Sequence, residues 1–268
     1  MKLRMLLGQT GVTILEVLIT LGIAGIITTA VFKAYLTQHE NYMTQDAVTN
    51  IQQNSRVVID ELTRQIRMAG NNLPLSIPAI VPANTNPDTI TLSYRVGNCE
   101  TGLLTTMSSS SSVIQCGSDI SCFHDNQWAY IYEPDSGGGE MFLISNVDNG
   151  SRYLYHGTMA LSKAYTNNAL VMVVQQLKYY VDNVTDPDHP RLMLQVLGQP
   201  PQVFAEDISD LQLRYILKNN LVTDQPVLAS DIREVKISIT GSSGDTSGTK
   251  SFSTPSRIYT SSVNVRNL

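Results

Sequence analysis

The sequence predicts an α+β fold, in which a long N-terminal α-helix packs on a β-rich, antiparallel C-terminal domain. Two observations predict it. An apolar run over residues 12–32 passes into a stretch, Lys33 to Ala69, that lacks proline and glycine and repeats apolar side chains at helical spacing. From residue 88 onward, short segments rich in β-branched, tyrosine and leucine side chains follow one another. We therefore expect a leader (1–11), a transmembrane segment (12–33), a helical spine (34–70) and a globular domain (71–268).

The composition limits the class of protein. Of the 268 residues, 42% are apolar, which is enough for a core and argues against disorder over the whole length. The 18 basic residues are outnumbered by 23 acidic ones, and the chain becomes more acidic if a leader with Lys2 and Arg4 is removed. Nucleic-acid binding needs a basic surface, so this charge balance disfavours it.

The start of the chain has the composition of a membrane-targeting segment. Residues 1–11 carry two positive charges, whereas residues 12–32 carry one charge, Glu16. As a helix, the 21 residues of that run extend over about 30 Å, the thickness of a hydrocarbon core. The polar stretch Gly-Gln-Thr-Gly precedes the run, unlike the cleavage site of a secretory signal peptide, so cleavage there keeps the helix. We expect one span with its basic end cytoplasmic and the remainder outside.

Glu16 is the acidic residue of that span. A buried carboxylate costs several kcal/mol unless it is paired, and the next basic residue along the span, Lys33, is 17 residues away. Cleavage between Gly11 and Val12 would create an ammonium group four residues before Glu16, and the same group on a neighbouring subunit would neutralise the carboxylate. The alternative is a glutamate near the headgroups of an ordinary anchor.

Three cysteines fall within one 24-residue window: Cys99, Cys116 and Cys122. In an oxidising compartment they predict one disulfide and one free thiol, and their spacing leaves all three pairings open. A zinc site is disfavoured because no Cys-x-x-Cys pair or neighbouring histidine pair completes four ligands.

The globular region offers little catalytic chemistry. The four histidines are scattered, and hydrolase, metalloprotease and phosphate-loop motifs are missing, so we expect neither an enzyme nor a cofactor. The loop with Asp182, Asp186 and Asp188 has carboxylates for a calcium ion but lacks EF-hand spacing, and an acidic turn between strands is the alternative.

Trp128 is the single tryptophan of the sequence, and Tyr130 and Tyr132 follow it at every second position. This pattern fits either a contact surface or core packing beside a disulfide.

Nine strands are expected in the globular region. Glycine-rich turns at Asp135–Gly139 and Asp148–Gly150 predict hairpins, and composition predicts exposed loops at Ser108–Ser112 and Gly241–Gly248. The strands are Asp88–Val96, Gln127–Glu133, Glu140–Asn146, Ser151–His156, Leu170–Val181, Arg191–Leu197, Ile208–Leu217, Glu234–Thr240 and Arg257–Val265.

The segment Gly11-Val12-Thr13-Ile14-Leu15-Glu16-Val17-Leu18 resembles the class III leader junction of type IV prepilins. The resemblance implies that Gly11 ends the leader, that Val12 is the N-methylated new terminus and that Glu16 is the assembly glutamate. It departs from the family in having valine where phenylalanine is usual. The stretch from Asn54-Ser55-Arg56 through Ile66–Gly70, together with Asp231–Ile237 and Val263–Asn267, is similar to the PilW group of minor pilins and to the related pseudopilin J of type II secretion.

The resemblance implies a place and partners. The subunit would reside in the bacterial inner membrane with its globular domain in the periplasm, and then in a pilus fibre. Its partners would be a prepilin peptidase, the inner-membrane assembly platform, and other major and minor pilins through the N-terminal helix. The large globular part favours a minor subunit at the tip or in the priming complex. Two alternatives stay open: a secretion pseudopilin, and a binding tip that uses residues 95–128.

Overall fold

The chain forms one long helix followed by β-strands, which confirms the expected α+β fold. The computed structural model describes residues 11–135, 138–157, 160–242 and 256–267, so leader residues 1–10 lie outside the described residues. Helix α1 is Ile14–Met68, and a short 3-10 helix spans Ala229–Asp231. The strands are β1 (Ile80–Ala83), β2 (Thr89–Gly102), β3 (Val113–Gln115), β4 (Trp128–Tyr132), β5 (Gly139–Leu143), β6 (Asn146–Asp148), β7 (Tyr153–Tyr155), β8 (Leu170–Asp182), β9 (Arg191–Val196), β10 (Gln202–Glu206), β11 (Ile208–Leu217), β12 (Val222–Thr223), β13 (Ile232–Ser242) and β14 (Ser256–Asn264).

Two compact units divide the chain, residues 1–49 and residues 50–268. In the second unit, α1 buries one face at a spacing of three or four residues, through Ile51, Val58, Leu62 and Ile66. Each such side chain contributes about 1.5–3 kcal/mol when it is removed from water. The apolar repeat read from the sequence therefore marks the face of α1 that packs on the globular domain.

Among the described residues, all strand pairs are antiparallel, and they form three sheets. The first has the order β1-β2-β8-β4-β5, with β9 also paired to β8 and β10 paired to β9. The second has the order β12-β11-β13-β14, and the third has the order β3-β7-β6. β8 is the centre of the first sheet because it pairs with β2, β4 and β9.

The globular domain contains two large clusters of buried apolar side chains. The buried face of α1 packs with side chains of both larger sheets, including Leu177 of β8 and Ile237 of β13. A second core lies around the cysteines and includes Phe123, Phe142 and Tyr165.

A glycine allows α1 to approach the second sheet closely. A Cβ on Gly241 of β13 would overlap Cγ2 of Ile51 and lie 2.9 Å from Oγ of Ser55. Gly241 and Ser242 therefore belong to a strand packed under the helix, and their prediction as the start of an exposed loop was wrong. Residues 243–248 of that predicted loop lie outside the described residues.

Both predicted hairpins are present, since β4 pairs with β5 and β6 pairs with β7. The segment predicted as one strand, Glu140–Asn146, is divided between β5 and β6. β2 continues beyond the predicted Val96 to Gly102, with a shift in register between Arg95 and Glu100. The four strands that were not predicted are short: β1, β3, β10 and β12.

Candidate functional site

The N-terminal turn of α1 contains the residues of the predicted processing and assembly site. Gly11, Val12 and Thr13 precede the helix, and Glu16 lies in its first turn. The N–H of Glu16 donates to Oγ1 of Thr13 at 3.3 Å, so Thr13 is the helix cap. The Thr-x-x-Glu spacing is that of a capping box, a signal that the sequence interpretation missed.

The carboxylate of Glu16 has no hydrogen-bond or ion-pair partner among the described residues. Only half of the capping box is formed, because Thr13 accepts a bond and the Glu16 carboxylate returns none. The positive end of the helix dipole favours a carboxylate here by about 0.3–1 kcal/mol, which is less than the cost of placing the charge in an apolar medium. The geometry therefore leaves Glu16 able to accept a partner from another molecule.

The apolar run behind Glu16 is exposed along its whole length. Val12, Ile14 and Ile26 are 71%, 83% and 73% exposed. By length and composition, α1 is the one helix in the described part of the chain able to cross a membrane, and none of its most apolar window is buried. These properties fit a single-pass membrane segment.

The polar atoms of this run are satisfied within the helix, apart from the Glu16 carboxylate. The hydroxyls of Thr20, Thr28 and Thr29 donate to main-chain carbonyls three or four residues earlier, at 2.9, 2.8 and 2.8 Å. Such internal pairing is what a hydrocarbon environment requires of a hydroxyl group. Gly22 and Gly25 have nothing within 4 Å of where a Cβ would lie. Contacts within the described chain therefore do not require glycine at these two positions.

The cysteine window forms one disulfide and one free thiol, as predicted, and the structure selects the pairing Cys99–Cys122 with a Cα–Cα distance of 5.7 Å. Cys116 is free and buried, and burial raises the pKa of its thiol to about 11. Cys99 lies in β2, where the register shifts between Arg95 and Glu100, and the disulfide joins it to Cys122 in the loop before β4.

The three aspartates proposed for calcium do not converge. Oδ1 of Asp182 accepts the N–H groups of Val184 and Thr185, each at 3.0 Å, and bonds from Thr185 and Val184 lower the pKa of Asp182. Asp186 accepts the N–H of His189 at 3.2 Å and lies 3.4 Å from Nη2 of Arg191. Within the described ranges, no group of three or more histidine, cysteine or acidic side chains is arranged to hold a metal ion. Asp182 is the last residue of β8, and Asp186 and Asp188 lie in the turn that leads to β9, so the three residues belong to an acidic turn between strands, as the alternative interpretation proposed.

The aromatic residues of β4 have different surroundings. Tyr130 is buried with Ile77 and Met172, and its ring stacks on that of Tyr132 with centroids 5.9 Å apart. Trp128 is half-buried at the start of the strand and lines a surface pocket. Core packing therefore describes Tyr130, whereas Trp128 contributes to a surface.

No protein-family model matches the chain, and no curated protein sequence matches it.

Proposed function

We propose that this protein is a minor type IV pilin of the PilW kind, which a prepilin peptidase cleaves after Gly11 and which takes part in starting pilus assembly. The observation that carries the proposal is the Glu16 carboxylate, which has no partner in the described part of the chain and stands at the start of an exposed apolar helix, four residues after Val12. In an ordinary membrane anchor, the helix dipole returns only about 0.3–1 kcal/mol for a charge that costs several kcal/mol in hydrocarbon.

The mechanism uses the chemistry of these few residues. Cleavage converts the amide nitrogen of Val12 into an ammonium, which is N-methylated in the resembling family. In a growing fibre, that cation from one subunit neutralises the Glu16 carboxylate of another, and opposite charges attract more strongly in a low-dielectric medium than in water. The exposed apolar side chains of α1 then exchange contact with lipid for contact with neighbouring helices.

The size of the globular domain supports a minor subunit. The second compact unit spans residues 50–268 and carries three sheets. A domain of this size crowds a regular helical fibre when it is present in every subunit, whereas a few copies at the tip or in a priming complex avoid that crowding.

Deletion of the gene in its own host tests the proposal. We expect the deletion strain to lose sheared surface fibres in electron micrographs while its secreted proteins still reach the medium. Complementation with the natural gene should restore the fibres, and a copy with Gly11 replaced by a large residue should not, because the precursor would stay uncut. Intact fibres together with exported proteins retained in the periplasm would instead assign the chain to a secretion pseudopilus.

A further inference from the structure

The first sheet divides at β8. On one edge of this strand, Leu170–Val173 pair with β4, and Leu177–Asp182 pair with β9. Val174, Gln175 and Gln176 therefore lie where one neighbouring strand ends and the next begins. The N–H of Leu197, which follows β9, donates to the carbonyl of Gln176 at 3.0 Å and closes one side of this gap.

A pocket of about 190 Å³ opens at this division of the sheet. Its polar side chains are amides, and the remaining side chains are the Trp128 indole, valines and a leucine. None of the lining residues is ionisable. The amide residues are Asn126, Gln127, Gln175, Gln176 and Gln199.

Most of these amides are free to bind a ligand. Gln127 is occupied, because its Oε1 accepts the N–H of His124 at 3.0 Å. The side-chain amides of Asn126, Gln175, Gln176 and Gln199 make no hydrogen bond to any residue that the structure describes. Each offers two N–H donors and a carbonyl acceptor in fixed relation.

The indole of Trp128 is held in place by the turn after β9. Gly198 in that turn has a φ of +80°, and a Cβ there would overlap Nε1 of the indole. Glycine is thus required both by the left-handed backbone and by the close approach to the ring. The pocket therefore has a positioned aromatic side chain beside several unpaired amides.

Because Ala129 pairs with Val173 and side chains alternate along a strand, Trp128 and Gln176 lie on the same face of the sheet. We propose that this pocket binds a neutral saccharide, with one sugar ring between Trp128 and the amides of Gln176 and Gln199. A sugar ring combines hydroxyls, which pair with amide donors and acceptors, with C–H groups, which pack on an indole. Because the lining carries no charge, an acidic or basic sugar would lose hydration without gaining an ion pair. The inference is independent of pilus assembly.

The geometry favours a sugar over a peptide. A peptide that adds to a sheet needs an open strand edge along several residues. Here the gap on β8 is limited to Val174–Gln176, about 10 Å of strand, with β4 and β9 on either side. That space admits a compact ring and excludes an added strand.

Trp128 provides the test, because it is the single tryptophan of the chain. The purified full-length protein, in a detergent without a sugar headgroup, is titrated with neutral mono- and disaccharides while the indole emission is recorded. We expect a saturable change with at least one neutral sugar. Gln176→Ala and Gln199→Ala should each weaken the apparent affinity about 3- to 10-fold, the effect of one or two hydrogen bonds.

Two controls make the result decisive. Gln53→Ala removes an exposed amide from α1, away from the pocket, and should leave the titration unchanged. Circular dichroism and the melting temperature establish that each variant is folded. The proposal is overturned if neutral sugars give no saturable change. It is also overturned if Gln176→Ala and Gln199→Ala both bind like the natural protein, or if acidic sugars or short peptides bind more tightly.

Discussion

The side-chain amide of Asn267 donates a 3.2 Å hydrogen bond to the main-chain carbonyl of Arg67, so the end of the described chain caps the C-terminus of α1. Gly70, just past the helix, has a φ of +78°, and a Cβ there would overlap the main-chain oxygen of Asn267. The segments 66–70 and 263–267, on which the resemblance to the PilW group partly rests, are thus in contact with each other.

This contact predicts that Gly70→Ala is more destabilising than Gly97→Ala. Both glycines have a left-handed φ, but a Cβ on Gly97 has nothing within 4 Å. Gly97→Ala should therefore cost about 1 kcal/mol from backbone strain alone. Gly70→Ala should cost more, because the C-terminal segment must also move. Denaturant unfolding of the two variants measures the difference in the free energy of unfolding. An equal loss in both variants would show that the Asn267 segment moves away from position 70 at no cost in free energy.

Asp88 predicts a pH-dependent effect of Asp88→Asn. Its Oδ2 accepts the N–H of Leu213 at 2.8 Å, its Oδ1 has no partner among the described residues, and burial raises the pKa of the carboxyl. A raised pKa in the folded state means that stability falls as pH rises through the unfolded and then the folded pKa. The melting temperature of Asp88→Asn, minus that of the natural protein, should therefore increase between about pH 3 and about pH 7.

A matched variant separates the charge from the hydrogen bond. Asp88→Ala also removes the charge but leaves the buried N–H of Leu213 unpaired, at a cost of about 1–3 kcal/mol. It should melt below Asp88→Asn at every pH. A melting-temperature difference between Asp88→Asn and the natural protein that does not change with pH would contradict the assigned cause.

Local signals in the sequence were sufficient to predict most of the fold. The apolar spacing of Val58, Leu62 and Ile66 identified the packed face of α1, and glycine-rich turns identified the two hairpins. The strands that were missed have weak local signals: β12 has two residues, and β1 contains Pro82. β12 is a strand because it pairs with β11, and β1 is a strand because it pairs with β2. The residues of β12 and β1 alone do not predict these pairings.

The candidate sites differ in how far the sequence could predict them. Gly11, Val12 and Glu16 are close in sequence, so their relation was apparent before the structure. The amide pocket joins Asn126, Gln176 and Gln199, which lie in three separate parts of the chain. Only the pairing of β8 with both β4 and β9 brings these residues together. For the cysteines, the count was predictable, but the pairing required the course of the chain between residues 99 and 122.

Cys116 is predicted to be unreactive in the folded protein. Burial raises the pKa of its thiol to about 11, so only about one molecule in a thousand carries the thiolate at pH 8. We expect negligible labelling by a maleimide under native conditions and one label per chain after denaturation without reductant. Cys116→Ser should abolish that label. Rapid labelling of the native protein, or three labels in the denatured unreduced chain, would contradict the burial or the disulfide.

The last prediction concerns Glu16 as the residue that recruits a neighbouring subunit. Glu16→Val keeps the apolar helix and the Gly11–Val12 bond, so the variant should insert in the membrane and still be cut. It should nevertheless fail to join other pilins, because the ammonium of a neighbouring subunit would then lack a counter-charge in a low-dielectric medium. Loss of one such pair predicts that co-purification with partner pilins falls at least about tenfold.

Glu40→Gln is the matched control, since Glu40 is an exposed acid on the same helix but lies outside the apolar run. It should be cut and should assemble like the natural protein. Glu16→Gln keeps the shape of the side chain and removes only its charge, so it should behave like Glu16→Val if the ion pair is the cause. Assembly of Glu16→Gln at the natural level, with Glu16→Val defective, would show that a side chain able to form hydrogen bonds at position 16 matters more than its charge. Normal assembly of both variants would remove Glu16 from the assembly mechanism.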